Sequence, residues 1–326
     1  MRRRELIAGL AMAAWPISAS GQEANRVRRI GVLVGLSEDD PGMKPRLIAL
    51  RQGLDELGWV EGRNLRVERR YAPGGSGAEQ LAQELVALQP DVILSHTVSV
   101  TAALRGKTRA TPIVFVSVGD PLGAGFISSL ARPGGNLTGF MTFEAGISGK
   151  WVAMLKEVMP GLTRAMFVAN PKTTTYGYYL AEAEVAARAH ALELVPAAIE
   201  SVFDLESSIE AFAREPGGAL IVVPDLTTSA HGDVIVALAA RHRVPAVYAF
   251  SYLVTGGGLM SYGTDRVAEM RLAASYLDRI LRGAAPGDLP VQTPTKFETA
   301  VNLKTAKALD LTIPPTLLLR ADEVIE

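Results

Sequence analysis

The sequence predicts an α/β protein of two doubly wound, Rossmann-like lobes with parallel sheets, joined by a multi-segment hinge. Three observations carry that expectation. Short apolar runs alternate with amphipathic stretches of helical period, the pattern of βαβ units and of a sheet covered on both faces. The same series of elements occurs twice, with comparable spacings between successive strands. The chain, 326 residues with 48% hydrophobic and 21% charged, is long enough for two cores.

The chain begins with a basic stretch, Arg2 to Arg4, followed by apolar residues over 6–15 and small residues at Ala19-Ser20-Gly21. This is the layout of a cleavable export signal over 1–21. The apolar run is shorter than the roughly 20 residues a membrane span needs. The order Arg3-Arg4-Glu5-Leu6-Ile7 suits a twin-arginine signal as well as a general one. No later stretch is long and apolar enough to cross a bilayer, so the expected product is a soluble periplasmic chain without stable membrane insertion. There is no cysteine, which excludes disulfides, thiolate metal sites, a Cys nucleophile and a lipidated N-terminal Cys, so the chain is not expected to be a lipoprotein. Lys+Arg (33) nearly balance Asp+Glu (34), so no global field draws nucleic acid.

In the first half, strands are expected at 29–35 (RIGVLVG), 65–70, 91–95 (DVILS) and 112–118 (PIVFVSV). Helices are expected at 46–57, with Leu47, Leu50, Leu54 and Leu57 on one face, and at 79–88, with Leu81, Leu85 and Leu88. In the second half the strand roles fall to 164–169, 192–196, 219–223 and 245–249, separated by helices near 177–192, 205–214 and 231–242. The Pro/Gly-rich segment 132–139 (RPGGNLTG) reads as a crossing between lobes, and 255–262 (TGGGLMSY) as a return. After Gly263 a helix carries Leu272, Tyr276, Leu277 and Ile280 on one face, and the Pro-rich stretch 286–294 reads as a third hinge segment. Lobe one is thus expected over 27–137 plus 260–289, and lobe two over 138–259 plus 290–326. A single large sheet is the alternative.

Several stretches then carry a family resemblance: GLDELGWVEG (53–62), PIVF (112–115) running into Gly119-Asp120-Pro121, SLARPGGN (129–136), GGLMSYG (257–263), PTKFE (294–298), NLKTAK (302–307) and RADE (320–323). In their number and order they make the chain resemble the ABC transporter substrate-binding family, whose best-known members bind tryptophan or tyrosine. The resemblance covers nearly everything after the leader. It implies a type I periplasmic binding protein that holds a small-molecule ligand in the interlobe cleft, closes on it, and delivers it to a permease with an ATPase. The loop after the third strand departs from the family: it reads Ser95-His96-Thr97-Val98-Ser99, where relatives more often carry a Gly-Thr or Thr-Pro pair.

Ligands of open α/β sheets bind beyond the carboxyl ends of the strands, which selects loops carrying Ser37, Thr97, Ser99 and Ser117 on lobe one and Asn170, Tyr176, Asp225 and Phe250 on lobe two. Hydroxyls and free amides at a helix start suit a carboxylate, and Thr97, Ser99 and Ser117 fit that role or simply cap the next helix. Asp225 suits a ligand ammonium or an N-cap. Tyr176 and Phe250 suit an aromatic or aliphatic group, or the core. Together they suggest an amino acid with an aromatic or other apolar side chain. Asp120, before Pro121, reads as a turn residue.

Enzymatic readings find less support. No G-x-G-x-x-G follows an expected strand, and neither G-x-x-x-x-G-K-[ST] nor G-x-S-x-G occurs. His96, His190, His231 and His242 lack metal-ligand spacing. No cofactor, no metal and no catalytic residue is expected, and a monomer is. An exported ligand sensor of the same fold, or an exported α/β hydrolase, remains the alternative to the transport receptor.

Overall fold

The computed structural model describes residues 26–40 and 42–326, so the leader read over 1–21 lies outside the described residues. The first half runs β1 (Arg28–Val34), α1 (Met43–Glu56), β2 (Leu65–Tyr71), α2 (Ala78–Ala87), β3 (Val92–His96), α3 (Val98–Lys107), β4 (Ile113–Val118) and β5 (Leu137–Met141). These strands form one parallel sheet in the order β2-β1-β3-β4-β5. The sequence dictates that order of burial. β3 (VILSH) is buried throughout and β4 (IVFVSV) nearly so, as central parallel strands covered by helices must be. β2 (LRVERRY) carries its charges on the edge.

The second half runs α4 (Ile147–Val158), β6 (Arg164–Ala169), α5 (Tyr176–Ala189), β7 (Glu193–Ala198), α6 (Val202–Ala213), β8 (Gly218–Val222), α7 (Leu226–Ala230), α8 (Gly232–Arg241), β9 (Ala246–Tyr248), α9 (Ser251–Thr255) and β10 (Met260–Thr264). The chain then returns as α10 (Arg266–Leu281) and ends with β11 (Phe297–Asn302), α11 (Leu303–Ala308), α12 (Pro315–Leu318) and β12 (Glu323–Ile325). The second sheet has the order β12-β11-β10-β9-β8-β6-β7, and β10 meets β11 antiparallel, from Met260 opposite Val301 to Thr264 opposite Phe297. Two separate sheets exclude the single large one.

Each sheet has apolar cores on both faces. In lobe one, Met270, Ala274, Leu277 and Ile280 of α10 pack with Ile30, Val32, Leu50 and Leu54 on one face, while Leu33, Leu85, Leu104 and Phe115 fill the other. Close approach of α10 to α1 requires Gly53, where a Cβ would fall 2.9 Å from that of Ala274. In lobe two, Trp151, Phe167 and Tyr179 belong to one core, and Val168, Ile209, Leu220 and Ile235 to the other.

The crossings differ from the sequence reading. Segment 132–139 does not leave lobe one: Gly134 and Gly135, at φ 69° and 64°, turn the chain into β5, which pairs with β4. Lobe one therefore continues to Met141, and the chain crosses at Thr142 and Phe143. Similarly, 260–264 is a strand of the second sheet, so the return falls at Asp265, the N-cap of α10, rather than within 255–262. In both cases the glycines mark a turn just before a strand and not the lobe boundary. The third connection leaves a short helical turn at Pro286–Asp288, runs beside β5 through Gln292, and enters β11.

Candidate functional site

The carboxyl ends of β1, β3 and β4 face those of β6, β8 and β9 across a cleft floored by the first crossing, at Thr142 and Phe143. The space between the two sets of loops, about 470 Å³, is continuous with solvent. The lobes touch over it. Leu226 of lobe two packs with the lobe-one core, and Tyr179 lies against Gly119.

On the lobe-one side, Thr97 and Ser117 line the cleft, and both hold positive φ, 86° and 58°. Thr97 has ψ 163°, a region kept almost wholly by glycine, so a β-branched residue there is strained. Its conformation turns the chain from β3 into α3, and its carbonyl accepts from the Thr101 hydroxyl at 2.7 Å, while its own side chain caps nothing. The first amides of α3 thus open on the cleft. The Ser117 amide donates to Glu269 Oε1 at 3.1 Å. The other two lobe-one candidates stand apart from the cleft lining. Ser37 is exposed, in the turn after β1, where its carbonyl accepts from Asp40. Ser99 is half-buried beside Gly75. Asp120 caps a turn, accepting from the Gly123 amide at 2.7 Å.

On the lobe-two side, Asp225 and Phe250 line the cleft. Asp225 is the N-cap of α7: Oδ1 accepts from the amides of Thr227 (2.6 Å) and Thr228 (2.9 Å) and from the Thr173 hydroxyl (3.4 Å). Oδ2 accepts from the Asn170 amide at 2.8 Å. The Asp225 amide in turn donates to Thr228 Oγ1 at 3.1 Å, completing a capping box. Burial pushes this carboxyl up to about 6, against the pull of its four donors. Asn170 is buried behind it, its Nδ2 donating to Thr227 Oγ1 at 2.8 Å. Tyr176 packs edge-on against Phe167, 5.7 Å between centroids, and Tyr179, one turn on, takes the place by the cleft. Of eight candidates, Thr97, Ser117, Asp225 and Phe250 line the cleft.

Three further cleft residues escape the loop rule. Tyr179 and Phe143 extend the aromatic wall, Phe143 lying 5.7 Å from Phe250. Arg266 lies over the Phe250 ring, 4.1 Å from guanidinium carbon to centroid, and its Nη2 is 3.3 Å from Nε2 of His96. Arginine only donates, so Nε2 accepts and the ring proton sits on Nδ1. Burial, Arg266 and Arg46 hold the His96 imidazole well below its usual range, so it is neutral. Arg266 occupies the first turn of α10, the positive end of a helix, where cations are disfavoured. Arg46, behind it, interrupts the buried stripe Met43, Leu50, Gly53, Leu54 of α1. Those two misplaced charges are signals the sequence offered.

Among the described residues no group of His, Asp or Glu is placed to hold a metal, and no helix is long and apolar enough to cross a membrane. His96 bonds to Arg266 and to no hydroxyl, so no nucleophile–base pair forms at the cleft.

Among curated proteins, the chain is similar to a tyrosine-binding protein of Clostridioides difficile (strain R20291): 22% identical over 281 residues, covering 85% of this chain and 81% of the relative. Among solved structures, a conserved domain protein from Vibrio cholerae O1 biovar El Tor is 27% identical, with a TM-score of 0.86 over 92% of this chain and 100% of that one. The ABC domain of a Streptococcus pneumoniae protein, in complex with L-Trp, is 23% identical, with a TM-score of 0.85 over 91% and 99%. The fold is that of the type I periplasmic binding proteins. With two lobes around a cleft, and with residues 29–325 matching the family described as ABC transporter substrate binding protein, the chain belongs to that family.

Proposed function

We propose that this substrate-binding protein captures a small amino acid with an aromatic or other apolar side chain in the interlobe cleft and presents it to its permease. One observation carries the ligand class. The cleft joins an aromatic wall, Phe143, Tyr179 and Phe250, to a polar side that holds the start of α3 and the Arg266 guanidinium. That division matches a molecule with an apolar body and a charged end. The names of two relatives, one tyrosine-binding and one solved with L-Trp, support the same class. Proteins of this family bind small molecules outside the cytoplasm and deliver them to a permease. The leader read over 1–21 and the absence of cysteine support a free periplasmic form, and nothing at the cleft supports catalysis.

Within this reading Thr97 and Ser117 present polar groups to the ligand, Phe250 stacks on it, and Asp225 frames the facing loop. The lobes, taken as residues to Met141 with 265–289 on one side and the remainder on the other, close about the three connections, a recurring mode for such receptors. Mass spectrometry of small molecules released from freshly purified protein, followed by calorimetric titration of an amino-acid panel, tests the ligand class. Micromolar binding of an aromatic or aliphatic L-amino acid is the expected result. A released sugar or polyol, with no amino acid bound at millimolar concentration, overturns it.

A further inference from the structure

Two guanidinium groups, Arg266 at the cleft lining and Arg46 behind it, keep buried N–H groups without an acceptor, although the Glu269 and Asp40 carboxylates lie near enough to attract both. Arg46 is 4% exposed and its Nη1 has no acceptor. Nε and Nη1 of Arg266 are likewise buried without an acceptor, and neither arginine forms an ion pair among the described residues. Burial and then Arg266 push Arg46 down to about 9, the sign of two cations held close in a poorly solvated place. A buried charge is tolerated when it is paired. The empty arrangement is therefore costly and complementary to an anion.

The acids nearby form no hydrogen-bonded ion pair with either guanidinium among the described residues. Glu269 accepts from the Ser117 amide through Oε1, and both oxygens of Asp225 are engaged by donors of their own lobe. Arg266 thus offers unpartnered N–H groups at the cleft. The start of α3, whose cap residue leaves its amides open, adds a favourable dipole on the same side. His96 is no competitor, because it is a neutral ring bonded to the far nitrogen of Arg266.

We propose that Arg266 is the specificity-determining contact of this cleft: held flat on Phe250, it takes the ligand carboxylate on the guanidinium N–H groups that His96 leaves free. Arg46 supplies a second positive charge behind it, and the α-amino group of the ligand contributes little. The inference rests on the reading that ligand binds between the lobes, and it deepens that reading by naming the selected group. A guanidinium fixed on an aromatic face keeps its planar fork aimed, which a lysine cannot reproduce.

The test compares matched probes on the full mature protein by calorimetry: L-tryptophan and L-tyrosine, their deaminated acids 3-(indol-3-yl)propionate and 3-(4-hydroxyphenyl)propionate, the amides of those acids, and the amines tryptamine and tyramine, with leucine, 4-methylpentanoate and its amide as the aliphatic set. The acids should bind within about 10-fold of the amino acids, and the amides and amines about 100-fold or more weaker. Arg266→Gln should remove the preference for acid over amide, and Arg266→Lys should retain part of it. The wild-type comparison needs no variant, so a misfolded Arg266→Gln does not decide the matter. If the deaminated acids bind and the amino acids do not, the amino-acid reading falls and the Arg266 assignment stands. If amides or amines bind as tightly as acids, or Arg266→Gln keeps the acid preference, the assignment is overturned while the cleft reading survives. Binding of none of the probes overturns both.

Discussion

The hydroxyl of Tyr179, on lobe two, rests against the backbone of Gly119, on lobe one: a Cβ on Gly119 would fall 2.2 Å from that oxygen and 2.9 Å from the ring carbon bearing it. Contact at this distance leaves no room for a side chain, so the residue type at 119 decides how closely the lobes approach. Gly119→Ala should hold them apart and weaken ligand binding, with stability of the ligand-free protein changed by no more than about 0.5 kcal/mol. Adding Tyr179→Phe, which removes the oxygen, should recover part of the affinity. Titration of the single and double variants checks this, and undiminished affinity in Gly119→Ala would show that the contact does not limit closure.

Asp225 presents a carboxylate to the cleft, but its four acceptor positions are matched by four donors of its own lobe. Asp225→Ala removes a capping box and strands the Asn170 amide, so thermal unfolding should show a loss of roughly 2–4 kcal/mol. Asp225→Asn keeps one acceptor and should lose less. Ligand affinity should fall less than in Arg266→Gln. An unchanged melting temperature with lost affinity would instead return Asp225 to the ligand ammonium.

The paired series of strands was legible because apolar runs such as DVILS and PIVFVSV must be buried wherever they lie. The crossings were not, because glycine pairs such as Gly134-Gly135 mark turns without saying whether the next strand joins the old sheet or a new one. At the cleft, the strand-end rule singled out Thr97, Ser117, Asp225 and Phe250, which lie at or just beyond the carboxyl ends of β3, β4, β8 and β9 and line it. It named Tyr176, whereas Tyr179 is the tyrosine of α5 that lines the cleft, because the direction of a side chain depends on where the first turn of α5 begins. It passed over Arg266 because that residue follows β10, whose antiparallel partner β11 lies outside the doubly wound pattern.

Thr97 adopts φ 86° and ψ 163°, a conformation for which glycine is suited and a β-branched residue is not. In an ordinary position Gly is less stable than Ala by roughly 0.5–1 kcal/mol. Here the order should reverse. Thr97→Gly releases strain of about 1–3 kcal/mol, whereas Thr97→Ala keeps that strain and loses the buried methyl. Chemical denaturation of both variants decides the point, and Thr97→Ala the more stable of the two would mean the backbone relaxes without cost.

His96 is buried, faces Arg266 and Arg46, and is held neutral. A base whose folded pKa is depressed contributes stability that is present above its unfolded value, near 6.5, and lost as pH falls toward the depressed value. Below pH 6.5 the unfolded chain takes up a proton that the folded chain refuses. Wild-type stability should therefore fall more steeply with acid than that of His96→Gln, which cannot titrate. Parallel melting curves between pH 7.5 and pH 4.5 show whether the two diverge, and coincident slopes would place the His96 proton in both states.

The lobes meet over the cleft, Leu226 on the lobe-one core and Tyr179 on Gly119, so an amino acid cannot slip in past this closed form. Entry requires Leu226 and Tyr179 to withdraw from lobe one, a motion about the connections at Thr142–Phe143, Thr264–Asp265 and 293–296. Ligand-free protein in solution should accordingly be more extended than this closed form, and saturating ligand should bring it back. Small-angle scattering of the free protein, of the protein with ligand, and of Gly119→Ala with ligand should then give a decreasing radius of gyration for the wild type and a smaller change for the variant. Identical curves for free and saturated wild type would mean that ligand enters through local loop opening, and that the contact between Tyr179 and Gly119 is a fixed part of the fold.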